Sequence, residues 1–163
     1  MAFETPEFPE IQPSISESSS GNAVRQLTVF LQNKVGELAN LVNLLADKDV
    51  VVLGLSVWDS SDHAIIRLVV SDPDEVEHIF HEHGVAYGLA DMVVVELREG
   101  APMLNKMLSA ILMAEVNIHF SYPLLVRPNG HATLALHVED YDCASYALRT
   151  EGFTLFNQAD LSR

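Results

Sequence analysis

Three imidazoles and two carboxylates fall within Glu77-His78-Ile79-Phe80-His81-Glu82-His83, and such groups at helical i+3 and i+4 spacing can share a metal ion. A helix turns about 100° per residue, which gathers Val76, Ile79, Phe80 and His83 on one buried face. Glu77, His78, His81 and Glu82 then point to water, with no sheltered further ligand. A solvated helix face accounts for the spacing, and no metal is expected. Cys143 is the only cysteine, so an internal disulfide and a Cys-x-x-Cys loop are excluded. It stands near the start of a predicted helix, which lowers a thiol pKa, but Asp140 and Asp142 oppose a thiolate. No Gly-x-Ser-x-Gly elbow or glycine-rich phosphate loop occurs. His119, His131 and His137 fall on predicted strands without an evident Ser or Asp relay. The constellation that catalysis requires is missing, and neither a reaction nor a cofactor is expected.

Binding chemistry is easier to find. Asn33-Lys34-Val35-Gly36-Glu37-Leu38 joins a predicted strand to a predicted helix. A helix start offers unpaired N–H groups and the positive end of the dipole, and Gly36 lets a ligand approach the backbone. Such a turn can hold a carboxylate. The Asn33 amide can accept from an ammonium group or donate to a carboxylate, so the turn could hold both ends of a free amino acid. From these six residues alone, an ordinary turn with a tolerated glycine remains the alternative.

The elements that position this turn occur twice. At an offset of 66 positions, Leu27, Val29 and Leu31 fall on Val93, Val95 and Leu97, and Leu38, Leu41, Val42 and Leu45 on Leu104, Met107, Leu108 and Ile111. Beyond a hairpin two residues longer in the second copy, His63, Ala64, Leu68, Val70, Asp72, Asp74 and Gly84 recur as His131, Ala132, Leu136, Val138, Asp140, Asp142 and Gly152. Ala90-Asp91 reappears as Ala159-Asp160. The copies run from about Arg25 to Asp91 and from Met92 to Asp160 with almost no linker.

Each copy reads strand, helix, strand, strand, helix, strand. Leu27 to Gln32 is β-favouring, and Leu38, Leu41, Val42 and Leu45 form one apolar helical stripe. Val50 to Trp58 is a nearly unbroken apolar run. Asp59 to Asp62 turns into a strand from His63 to Val70. Asp72 and Pro73 cap and open the second helix, Gly84 stops it, and Val85 to Tyr87 supplies the last strand. Asn129-Gly130 marks the middle hairpin of the second copy. With right-handed crossovers this order gives an α+β fold, a ferredoxin-like βαββαβ unit repeated in tandem, with antiparallel sheets and helices on one face. Strands 50–58 and 92–97 are apolar on both faces, where a half-wet sheet would alternate. Each sheet therefore has a further neighbour, either the other copy or a second chain, and a homodimer or larger assembly is expected.

The 163 residues are 48% apolar and 20% charged, the mix of a folded globular chain. Twenty-three Asp and Glu against nine Lys and Arg give a formal charge of −14, which argues against nucleic acid and anionic membranes as partners. No apolar stretch is long enough to span a bilayer, and Glu4, Glu7 and Glu10 stand where a signal peptide would be basic and then apolar. The expected location is the cytoplasm. Residues 1–22 are rich in Pro, Ser and Glu and are expected to be a flexible tail. Domains of 23–91 and 92–163 follow.

The run Leu27-Thr-Val-Phe-Leu-Gln-Asn-Lys-Val-Gly-Glu-Leu, with the amphipathic helix after it and the apolar strand at Val50, resembles the ACT domain family. Its hallmark is an Asn or Asp, then Gly, then Leu at that turn, and the resemblance covers both copies. It implies small regulatory modules of amino-acid metabolism that bind amino acids where paired domains meet. The first strand-to-helix loop of one domain and the second strand of its neighbour form the site. Here those positions are Asn33, Lys34, Val35, Gly36, Glu37 and Leu38, facing His119, Phe120, Ser121 and Tyr122 if the copies pair side by side. The first copy is also similar to the regulatory subunits of acetolactate synthase, which implies a branched-chain amino acid and an enzyme partner. A docking domain without a ligand is the reading from another class. The second copy departs from the pattern, with Glu99 where Asn33 sits and Pro102 in place of Gly36. Pro102 removes an N–H and Glu99 repels a carboxylate, so one dominant site per chain is expected.

Overall fold

The computed structural model describes residues 22–162; the expected tail, save Asn22, lies outside them. In order, the elements are β1 (Val24–Gln32), α1 (Glu37–Ala46), β2 (Val52–Asp59), β3 (His63–Val70), α2 (Pro73–Glu82), β4 (Tyr87–Leu97), a 3-10 turn (Ala101–Met103), α3 (Leu104–Met113), β5 (Ile118–Pro123), β6 (Ala132–Val138), α4 (Tyr141–Thr150), β7 (Leu155–Phe156) and α5 (Gln158–Leu161). The strands form one antiparallel sheet in the order β2-β3-β1-β4-β6-β5, with β7 also on β4.

Of the expected fourth strand of the first copy, Val85 to Tyr87, only Tyr87 is strand, and from there β4 runs without a break through the expected first strand of the second copy. The residues of β4 up to Met92 pair with β1, and those from Val93 onward pair with β6 and β7. The repeat persists in fine detail. Register shifts occur at Val52/Gly54 in β2 and at the equivalent Ile118/Phe120 in β5. Asp72 and Asp140 cap α2 and α4 by accepting from the N–H groups of Glu75 and Cys143, replacing partners the helix start lacks. The four long helices end alike, in a left-handed residue at Asp49, Gly84, Glu115 or Gly152. The next N–H, of Val50, Val85, Val116 or Phe153, returns to the carbonyl five residues back, the Schellman closure. The repeated Ala-Asp pair, in contrast, is strand at 90–91 and helix at 159–160.

Helices cover one face of each half. Leu27, Val29, Ile66 and Leu68 pack with Leu41, Leu45, Ile79 and Phe80, and Val93, Val95 and Leu136 pack with Met107, Ile111 and Leu148. The helix-free faces meet each other in a third core built from Val24, Leu53, Val69, Met92, Val94, Tyr122, Leu124, Ala135 and Phe156. The second apolar face of β4 is thus covered within the chain, and that of β2 only around Leu53, while Val57 and Trp58 at the far end of β2 stay exposed. The outer strands β2 and β5 approach closely enough for the Leu125 N–H to donate to the Leu53 carbonyl at 2.7 Å. Gly54 makes room there, since a Cβ on it would lie 2.5 Å from Leu124 Cδ2 and 3.3 Å from Tyr122 Cε2.

Candidate functional site

The β1–α1 turn takes its shape from three local constraints. The Asn33 backbone N–H donates to the Asp62 carbonyl, and its carboxamide Nδ2 donates to Asp59 Oδ1 at 2.8 Å. Both ties run to the β2–β3 hairpin, and among the described residues nothing donates to Asn33 Oδ1, which is left open as an acceptor. Gly36 has φ 93°, a left-handed conformation that side chains resist, and nothing lies within 4 Å of where its Cβ would be. α1 then begins at Glu37 with no side chain capping its N–H groups. Val35 is fully exposed. The turn presents an oriented amide oxygen beside an uncapped helix start.

In the second copy Gly100 turns the chain, a 3-10 turn containing Pro102 intervenes, and α3 starts at Leu104, also without a side-chain cap. Glu99 is exposed. The two loops therefore differ in backbone path as well as in residue type.

The strand group lies elsewhere in the bonding pattern. The two halves meet back to back, which turns Phe120 and Tyr122 toward the interior. The Tyr122 hydroxyl donates to Gln26 Oε1 at 2.7 Å in a buried setting, and burial pushes its pKa well up. The Arg67 guanidinium sits 4.0 Å from the Phe120 ring centroid, while that ring stacks on His137, which in turn lies 5.1 Å from the His119 ring. Burial, then His119 and Arg67, lowers the His137 pKa. His119 and Ser121 are exposed. Among the described residues no hydrogen bond, ion pair or ring contact joins His119–Tyr122 to Asn33–Leu38.

Other expectations change in detail. In α2, Val76, Ile79 and Phe80 are buried, but His83 is exposed at the helix end, its Nδ1 2.8 Å from the Ile79 carbonyl. Glu77 is turned inward instead, accepting from Arg25 at 3.0 Å and from the Tyr87 hydroxyl at 2.9 Å. His78 and Glu82 pair on the outer face. Among the described residues there is no group of three or more His, Cys, Asp or Glu placed to hold a metal. One ionisable cluster was not foreseen: Glu96, with 1% of its side chain exposed, accepts from His131, Arg98 and Asn129. The only hint in the sequence was an acid inside an otherwise apolar strand.

Among the described residues no helix is long and apolar enough to cross a membrane. The sequence matches the family of ACT domain pairs over residues 22–162. No curated protein matches it. A solved protein of Bacteroides thetaiotaomicron is 25% identical, with a TM-score of 0.80 over 88% of this chain and 99% of its own. The regulatory subunit of aspartate kinase from Thermus thermophilus shares the fold at 14% identity, with a TM-score of 0.56 over 82% of this chain and 98% of that one. The corresponding subunit from Thermus flavus does so at 17% identity, TM-score 0.51, over 80% and 93%. The duplicated βαββαβ pattern, the Asn33–Gly36–Leu38 turn and the match across both copies place this chain in the ACT domain pair family.

Proposed function

We propose that this protein senses a free amino acid in the cytoplasm and passes its level to an enzyme of amino-acid metabolism. The observation that carries the reading is the β1–α1 turn. Its uncapped helix start suits a carboxylate, and the open Asn33 Oδ1, fixed by the bond to Asp59, suits an ammonium group. Gly36 leaves the approach unobstructed. Because Phe120 and Tyr122 are engaged inside their own chain, the strand that closes the site comes from a second copy, through its exposed His119 and Ser121. A homodimer follows from this reading.

A thermal-shift screen of the free amino acids tests it, since a ligand bound only by the native state raises stability. One or a few amino acids should raise Tm by roughly 5–10 °C at about 100 times Kd. A flat response across all of them contradicts ligand sensing.

A further inference from the structure

A cleft of about 1020 Å³ opens between the halves at the end of the sheet opposite the Asn33 turn. This volume is at the top of the usual range for small-molecule sites, about 300–1,000 Å³, and it admits a small solute with its water. Val51, Leu53, Phe156 and Leu161 line an apolar part of it. Arg127 is the one basic side chain among the described lining residues, and Asp49 lies at the same cleft.

The charged groups around it are unequal. Asp160 is occupied in the capping box of α5, where it accepts the Asn157 N–H. Asn129 is occupied with Glu96. Neither Arg127 nor Asp49 has a side-chain hydrogen bond or ion pair with a described residue. Both stand on fixed backbone. The Leu125 N–H bonds to β2 on one side of Arg127, the buried Glu96 anchors Asn129 and His131 on the other, and the Gly130 N–H closes the turn on the Arg127 carbonyl. Asp49 holds the left-handed closing position after α1. Unspent charges of opposite sign beside an apolar wall match a zwitterion with an apolar side chain, and a guanidinium is suited to a carboxylate.

We infer that this cleft is a second small-molecule site, independent of the β1–α1 turn, for a free α-amino acid with an apolar side chain: Arg127 takes the carboxylate, Asp49 the ammonium group, and the apolar wall the side chain. Lining from both halves makes occupancy sensitive to their packing, so binding here reports on the joint between them.

Titrating the ¹⁵N-labelled full chain with L-leucine tests this. Amide resonances of residues 49–53, 71, 126, 127, 129 and 154–162 should shift. Arg127→Gln should weaken that response about 10-fold to 150-fold, the scale of a lost charged hydrogen bond. Asp49→Asn should weaken it in the same direction, and 4-methylpentanoate and isoamylamine, each lacking one charge, should bind more weakly than leucine. Arg127 has no partner to lose, so its variant should keep a dispersed spectrum. Gly36→Val should leave the cleft response in place, whatever happens at the turn. Absence of shifts at the cleft with millimolar leucine, shifts indifferent to Arg127→Gln, or their loss in Gly36→Val would each overturn the assignment. None of those results depends on whether the turn itself binds.

Discussion

Glu96 shows how a single buried residue can stabilise the second half of the chain. Burial alone would raise its pKa, but hydrogen bonds from His131, Arg98 and Asn129, with the charge of Arg98, outweigh it and bring the carboxyl down to about 2 from 4.5. A folded-state pKa below the unfolded value adds stability that is complete above pH 4.5 and disappears as pH falls toward 2. The difference corresponds to about 3 kcal/mol. Urea denaturation across that window should show the loss in the wild type, and Glu96→Gln should be less stable at neutral pH and flatter below pH 4.5. Equal acid sensitivity in both proteins would remove the role assigned to the carboxylate. Glu96 was hidden in the sequence because its partners come from positions 98, 129 and 131, which only the pairing of β4 with β6 brings together.

At the scale of elements, the four matched helix ends provide a paired experiment. Gly84 and Gly152 hold left-handed backbone without a Cβ, while Asp49 and Glu115 hold it with one, at a cost of about 1–2 kcal/mol each. Glu115→Gly should therefore stabilise by about 1 kcal/mol and Gly152→Ala should destabilise by a similar amount, read by urea midpoints at constant slope. Shifts of the same sign in both would contradict the shared geometry. These ends also mark what could be read beforehand. Asp72, Pro73 and Gly84 announce α2 because cap, first residue and stop are local signals. The strand from His63 to Val70 was equally plain, since its turn and apolar run lie in one stretch. The fusion into β4 was not, because Gly88, Ala90 and Asp91 look like a break and become strand only through pairing with β1. β7 is two residues long and α5 four, too short for periodicity to register. The Asn33 turn stood out from its residue types, but which strand faces it depends on how the halves pack, a long-range property.

For the whole molecule, the shared strand and the third core make the two halves one cooperative body. β4 pairs with β1 of the first half and with β6 of the second, and cutting the chain there would expose the core formed by Val24, Met92, Val94 and Tyr122. Unfolding followed by the fluorescence of Trp58, the only tryptophan, should coincide with unfolding followed by far-UV circular dichroism. Two separated transitions would contradict the single-body description. Gly54→Val probes the same joint. Its side chain would meet Leu124 and Tyr122 and should destabilise by about 1–3 kcal/mol, in the manner of an overpacked core, whereas Gly88→Ala, with open space around it, should cost less. Equal costs would mean that the close approach of β2 and β5 contributes little.

The central claim is that one loop per chain, Asn33 to Leu38, carries the amino-acid site proposed for this ACT domain pair. Calorimetric titration of the best amino acid from the thermal screen, at pH 7, into wild type, Asn33→Ala, Gly36→Val and Pro102→Ala tests it most directly. Asn33→Ala should weaken the loop site about 10-fold to 150-fold, Gly36→Val should remove it, and Pro102→Ala should leave it nearly unchanged. Binding indifferent to the first two substitutions and abolished by the third would place the working loop in the second copy and contradict the account.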